Sequence, residues 1–269
     1  MLSDKETEAT HRGNDRPTIS LLVPFYNEER LIVNTIETLL PIMDSLNVLY
    51  EIVCVDDGSR DGTWKLLSGF AEAYPQIYAL RLSRNFGKEA ALSAGLAEVR
   101  GDAVITMDGD LQHDPKHISQ MVDLWREGYD VVEGIKSSRN DSAFSRFSAN
   151  AFYKLFKFAS GYDLKNASDY KLLDRKVIDA WNDLPEKETF YRALSAWLGF
   201  RRTSFVFEVQ ERKSGKSKWS LLKLLRLSGN ALTGFSSKPL QVLNIVGSIF
   251  IFFFLILGVQ TLIDRKSVV

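Results

Sequence analysis

Two aspartates stand two residues apart in "MDGDLQHDP" (107–115), directly after the apolar run "AVITM" (103–107). Like charges that close to the end of a buried strand repel each other and resist desolvation unless a cation joins them. Residues two apart in an extended segment project to the same side. Asp108 and Asp110 can therefore offer oxygens to one hard divalent ion, Mg²⁺ or Mn²⁺, and Gln112 can add a carbonyl oxygen. Such an ion keeps water and phosphate oxygens as its other ligands, so its usual task is to hold a diphosphate and neutralise charge developing on it. His113 has no partner at ligand spacing and reads as a surface residue.

A second polar strand end is "VDDGSRDGT" (55–63). Asp56 there can accept a hydrogen bond from a base imide or a ribose hydroxyl, and Asp57 can do the same or turn the chain. Gly58 and Gly62 permit turns, while Asp61 or Thr63 can cap the helix that follows. The chain lacks a G-x-G-x-x-G turn and a full G-x-x-x-x-G-K-[ST] loop, since the "GKS" at 215–217 is preceded by Gln210 where that loop needs glycine; these are the phosphate-binding devices of dinucleotide and P-loop folds.

Elements that position these residues are legible from Thr18 to about Tyr129. Short apolar runs at 18–24, 51–59, 77–83, 103–110 and 130–134 alternate with helical patterns such as "NEERLIVNTIETLL" and "PKHISQMVDLWREG". Asn27 reads as the N-cap of the first helix, with Glu28 and Glu29 in its first turn. Near-continuous apolar strands alternating with helices predict an α/β fold, a mostly parallel sheet covered on both faces. Ligands of such sheets bind beyond the carboxyl ends of the strands, where "PFYNE", "DDGSRDGT" and "DGDLQ" converge. A nucleotide-type site is the expectation.

Lys+Arg and Asp+Glu balance at 34 each, so no global field argues for nucleic acid. The one cysteine, Cys54, lies inside an apolar run, which excludes a disulfide framework and a cysteine-cluster metal site. Residues 1–16 are polar and are expected to form a disordered lead. From Pro239 to Ile263 no residue is charged, which is long enough for a transmembrane helix. Segments 142–161 and 217–238 mix aromatic or leucine faces with Lys and Arg. Segment 142–161 fits an interfacial helix and ordinary packing on the sheet equally well, whereas the juxtamembrane 217–238 favours the interface.

Together "LLVPFYNEE", "EIVCVDDGSRDGT", "LSRNFGKEAALSAGL", "TMDGDLQHDP", "SDYKLLDRKVID" and "ERKSGKSKW", followed by an apolar tail, closely resemble the polyprenyl-phosphate glycosyltransferases. These are relatives of dolichyl-phosphate mannose synthase and of the bactoprenol glucosyltransferases. The resemblance spans roughly residues 17–245, and six motifs in order make it specific. It implies a GT-A catalytic domain over 17–215, a juxtamembrane amphipathic segment over 216–238 and a membrane helix over 239–263, where the family commonly carries two. The implied reaction is inverting transfer of a hexose from a nucleotide-diphosphate sugar, a UDP-sugar by expectation, to a membrane polyprenyl phosphate such as undecaprenyl phosphate, for cell-envelope glycan modification. Nucleotide sugars are cytosolic, which implies a catalytic domain on the cytoplasmic face of the inner membrane.

Carried over by position, the resemblance puts Pro24, Tyr26, Glu28, Asp56 and Asp57 around the nucleotide, and Asp108, Asp110 and Gln112 on the Mg²⁺ or Mn²⁺ and diphosphate. Arg212 and Lys218 match a basic pair near the phosphates, and Arg139 matches less cleanly an arginine after the fifth strand. Asp169 falls on the acceptor side. Gly109 stands where relatives often have alanine or valine, a change that reads as sterically mild. A processive polysaccharide synthase on the same fold is disfavoured, because "ETFYRALSAWLGF" lacks its Q-x-x-R-W motif. A silent scaffold subunit is disfavoured by the retained acidic and basic residues. Homo-oligomerisation is compatible with the sequence, which encodes neither the sugar nor the lipid length.

Overall fold

The computed structural model describes residues 7–9, 18–136, 168–184, 191, 198–207 and 238–266. The apolar runs form β2 (Ile19–Phe25), β3 (Tyr50–Asp56), β4 (Ile77–Leu82), β5 (Ala103–Thr106) and β6 (Val131–Lys136). Two further strands, β7 (Lys171–Asp174) and β8 (Arg202–Phe207), complete the carboxyl side of the sheet, and β1 (Thr7–Ala9) lies on its opposite edge. The order is β1-β4-β3-β2-β5-β7-β6-β8. Strands β4, β3, β2 and β5 are parallel, β7 is antiparallel to both its neighbours, and β6 and β8 are parallel to each other.

Within the amino-terminal lead, residues 7–9 are described as a strand. Thr7–Ala9 pair antiparallel with Leu80–Leu82, giving hydrogen-bond partners to an edge strand that would otherwise present an open ladder.

Helices α1 (Ile32–Asp44), α2 (Thr63–Ala73) and α4 (His117–Arg126) bury one layer of apolar side chains against one face of the sheet. Helices α3 (Lys88–Glu98) and α5 (Arg175–Asn182) cover the other. Alternation within a strand divides the two cores: Leu21 and Val23 join the first, Leu22 the second. The amphipathic helices follow their patterns, α4 burying Ile118, Met121 and Val122 at helical spacing. Asp174 caps α5 by accepting a hydrogen bond from the Lys176 amide at 3.0 Å.

The start of α1 departs from expectation. Asn27 adopts φ 52° and the helix begins at Ile32, because residues 27–29 are tied to the loop after β3. The Asn27 amide donates to Ser59 Oγ at 2.8 Å, Asn27 Oδ1 accepts from the Arg60 amide at 2.9 Å, and the Glu28 amide donates to Thr63 Oγ1 at 3.0 Å. Glu29 Oε2 accepts from the Gly62 amide at 3.0 Å. Side chains read as helix capping instead join two strand-end loops.

One charged pair is built into the core. Lys171, fully buried, lies 3.4 Å from Glu133 on the neighbouring strand and has its ammonium over the Tyr191 ring. Cys54 is buried, and burial pushes its thiol pKa up to about 12, as a small core residue requires.

The chain divides into two units: residues 1–145 with 164–216, which hold the sheet, and 146–163 with 217–269, which hold the carboxyl-terminal helix α6 (Lys238–Lys266). Within α6, Leu243–Thr261 has a mean hydropathy of 2.2 and contains no buried residue. Its length and composition suffice to cross a membrane. Segments 142–161 and 217–237 lie outside the described residues.

Candidate active site

The carboxyl ends of β2, β3, β4 and β5 lead into four loops, and three of these loops bind one another. Gly58 adopts φ 63°, and a Cβ there would fall on the backbone of Arg84, so the loop after β3 can lie directly on the loop after β4 only with glycine. Asp57 completes the contact. Its carboxylate accepts from Asn85 Nδ2 at 2.9 Å, the Phe86 amide at 2.8 Å and the Gly87 amide at 2.9 Å. Burial raises the Asp57 pKa, and the donated backbone hydrogen bonds oppose that rise. Both of its oxygens are therefore engaged in fixing the turn that starts α3.

Asp56 is fully buried at the end of β3. Its Oδ1 accepts from the Ser59 amide at 3.0 Å, and Arg81 Nε lies 3.3 Å from Oδ2. That Oδ2 makes no hydrogen bond among the described residues and is matched by the Arg81 charge at the carboxyl end of β3, beside the loop after β2. Pro24 and Glu28 are half-buried there, and Tyr26 is 41 % exposed.

Past β5, the chain turns sharply at Leu111, which adopts φ 54°. The turn returns Gln112 onto Asp110: its amide donates to Oδ1 at 3.1 Å and its Nε2 to Oδ2 at 2.6 Å. Gln112 thus orients the Asp110 carboxylate, a task its type alone did not reveal. The carbonyl of Gly109 accepts from Thr35 Oγ1 of α1 at 2.7 Å, which fixes the motif from below.

A cation stands beside the first of the two aspartates: Lys88, at the first position of α3. Its Nζ lies 2.6 Å from Asp108 Oδ1 and 2.8 Å from Asp169 Oδ2. Burial by itself would lower the Lys88 pKa, but the charges of Asp108 and Asp169 outweigh it and the net shift is upward. Asp169 is brought here by the chain entering β7, whose backbone is held by Thr106 Oγ1 donating to the Asp169 carbonyl at 2.6 Å. Thr106 Oγ1 also lies 2.7 Å from the Tyr191 hydroxyl.

His113 is not a surface residue. Its ring stacks on Tyr170 at 4.9 Å and meets Phe207 edge-on at 5.5 Å. Burial lowers its pKa, while Asp108, Lys88, Asp110 and Asp169 all act on it electrostatically. Four charged groups, Asp108 and Asp110 after β5, Lys88 at the start of α3 and Asp169 ahead of β7, thus act on one imidazole.

Lys88 is the site residue that motif reading missed. It follows "LSRNFG", a fourth polar strand end, and that position was the available signal. Arg139, Arg212 and Lys218 lie outside the described residues.

Among the described residues no group of three or more His, Cys, Asp and Glu could enclose a metal. Asp108 and Asp110 nevertheless fit a hard divalent cation that takes its remaining oxygens from a bound diphosphate, since such ions are held by one or two carboxylates and phosphate. The Asp108 side chain is 34 % exposed, so it can be reached by such an ion.

Comparison with known proteins decides the class. The model of Glycosyl transferase family 2 matches residues 20–180. This chain belongs to that family. An uncharacterised glycosyltransferase of Synechocystis sp. is 41 % identical over 233 residues, covering 86 % of this chain and 73 % of the relative. The undecaprenyl-phosphate 4-deoxy-4-formamido-L-arabinose transferase of Yersinia enterocolitica is 35 % identical over 236 residues, covering 86 % and 71 %.

Among solved structures, glucosyl-3-phosphoglycerate synthase of Mycobacterium tuberculosis, in complex with Mn²⁺, UDP and glucosyl-3-phosphoglycerate, superposes with a TM-score of 0.58 at 19 % identity, covering 81 % of this chain and 80 % of that one. A mannosyltransferase of Pyrobaculum calidifontis with GDP-mannose and Mn²⁺ gives 0.52 at 19 %, covering 76 % and 59 %. The sheet is that of the GT-A fold, and the chain is a family 2 glycosyltransferase.

Proposed function

We propose that this glycosyltransferase moves a hexose from a nucleotide-diphosphate sugar to the phosphate of a membrane polyprenyl lipid, with inversion at the anomeric carbon. The observation that carries the reading is α6: a nucleotide-sugar transferase that also carries a helix in which Leu243–Thr261 is strongly apolar and has no buried residue is suited to an acceptor in a bilayer. The Yersinia relative, named for transfer to undecaprenyl phosphate, supports the same acceptor class. The catalytic unit then works at the cytoplasmic face of the inner membrane, where its donor is.

In this reading Asp108 and Asp110 hold a Mg²⁺ or Mn²⁺ ion, which when bound neutralises charge on the leaving diphosphate. Gln112 keeps Asp110 aimed through its two donated hydrogen bonds. Asp56 Oδ2, which is ion-paired to Arg81 but accepts no hydrogen bond among the described residues, would accept the imide N–H of a uracil ring, which favours a UDP-sugar, and Tyr26, Pro24 and Glu28 would line the same pocket. Asp57 acts one step removed, holding the turn that sets Lys88. Arg212, Lys218 and Arg139 are proposed to meet the phosphates.

A lipid phosphate is already anionic at neutral pH and needs no strong base to attack the anomeric carbon. Asp169 is accordingly an orienting carboxylate tied to the Lys88 ammonium. Catalysis reduces to placing two phosphates and stabilising the one that leaves. Membranes containing the protein should be incubated with labelled nucleotide sugars and undecaprenyl phosphate. Label entering the organic phase from one donor, in an Asp110-dependent manner, is the expected result; label confined to water-soluble products would overturn the acceptor assignment.

A further inference from the structure

We infer that Lys88 is a resident cation in the mouth of the divalent-metal site, exchanging Asp108 to the incoming ion while keeping Asp169, so that metal loads with the donor diphosphate rather than alone. The inference rests on the metal reading above and adds a residue that no motif assigned.

Three observations carry it. First, the ammonium is shared between carboxylates from different strand ends, at 2.6 Å from Asp108 and 2.8 Å from Asp169. Releasing one carboxylate therefore leaves it ion-paired to the other. Second, the pair is open to solvent. The side chains of Lys88 and Asp108 are 36 % and 34 % exposed, whereas the core pair Lys171–Glu133 is 0 % and 8 % exposed. A lysine serving only to hold the fold together would resemble the second pair. Third, the helix start that carries Lys88 is fixed on both flanks. Asp57 holds the Gly87 amide at 2.9 Å, and Glu89 Oε2 accepts from the Tyr191 amide at 2.7 Å. The exchange is thus a swing of one side chain, with no helix movement needed.

A unit positive charge at ion-pairing distance from Asp108 opposes a dication approaching the same oxygen. A diphosphate arriving with the ion supplies the negative charge that reverses this balance. The site so built disfavours bare metal and favours the metal–diphosphate complex.

The test measures Mn²⁺ binding to the detergent-solubilised full chain, without turnover, from the paramagnetic resonance signal of free Mn²⁺, with and without UDP. The variants are Lys88→Met, Lys88→Gln, Lys88→Arg and Asp110→Asn, each checked for an unchanged melting temperature. Lys88→Met and Lys88→Gln should bind Mn²⁺ alone about tenfold more tightly than the wild type, and UDP should then improve their affinity less than it does the wild type's. Lys88→Arg should behave as wild type. If binding is lost in Asp110→Asn but is unchanged or weaker in the folded Lys88→Met and Lys88→Gln proteins, Lys88 is a structural strut and the inference fails while the metal reading stands. If Asp110→Asn binds Mn²⁺ as the wild type does, the metal reading fails and the inference with it.

Discussion

Phe25 fills the space into which a side chain at Gly109 would grow: a Cβ built there meets the edge of the ring, with Cδ1 at 2.8 Å. The glycine between the two aspartates is thus matched to the aromatic residue ending β2, and the mild change read from sequence is not mild in this packing. Gly109→Ala should destabilise the protein by about 1–3 kcal/mol through overpacking. Phe25→Leu combined with Gly109→Ala should recover part of that loss, because the shorter side chain vacates the ring edge. Urea unfolding of the two single variants and the double variant measures the coupling; strictly additive effects would disprove the contact as the cause.

Asp57 is expected to act through the loop it holds. Asp57→Ala removes the acceptor for the Phe86 and Gly87 amides and for Asn85 Nδ2, and each unpaired donor costs about 1–3 kcal/mol when water cannot replace it. Because the loop is only partly buried, a total of about 2–4 kcal/mol is expected. Hydrogen exchange should show faster exchange at Phe86 and Gly87 before the sheet amides change. Unaltered protection there would remove Asp57 from this role.

How much of this was legible in the sequence follows the range of the interactions. Apolar runs reported β2 to β6 well, since a strand buried on both faces must be apolar along its length. Strands β7 and β8 escaped because "KLLD" is short and includes a buried lysine, and "RTSFVF" is exposed at alternate positions along the sheet edge. The aspartates at 108 and 110 announced themselves by spacing, but the ammonium beside Asp108 did not. Lys88 is 20 residues earlier in the chain than Asp108 and 81 earlier than Asp169, so only the sheet order brings the three together. Asn27 and His113 were misread for the same reason. Each has a local role typical of its residue type, as a cap or a surface imidazole, and each is overridden by distant partners, Ser59 and Arg60 in one case, Tyr170 and Phe207 in the other.

Removal of the divalent ion should stop sugar transfer with no loss of fold. Chelation is expected to abolish activity, and added Mn²⁺ or Mg²⁺ to restore it. Asp110→Asn keeps the side chain's size but withdraws a charge from the ion, so turnover should fall about a hundredfold or more. Its melting temperature should stay near the wild type's, as among the described residues the carboxylate is held by Gln112 alone, in its own turn. Activity that survives both chelation and the substitution would exclude a metal-assisted departure of the diphosphate.

The tail makes the most direct prediction about membranes. In α6 the exposed side chains include Ile249, Phe250, Ile251, Phe252, Phe253 and Phe254, and an apolar patch of that size is incompatible with an isolated helix in water. Deleting residues 239–269 removes the whole uncharged run while leaving the sheet and its five helices untouched. The shortened protein should therefore shift from the membrane pellet to the supernatant at moderate salt, and should retain its melting transition because none of Leu243–Thr261 is buried. If it stays in washed membranes, the basic amphipathic stretches at 142–161 and 217–238 are sufficient anchors, and a high-salt wash should then release it. If the full-length chain itself fractionates with soluble protein, the bilayer acceptor loses its main physical support.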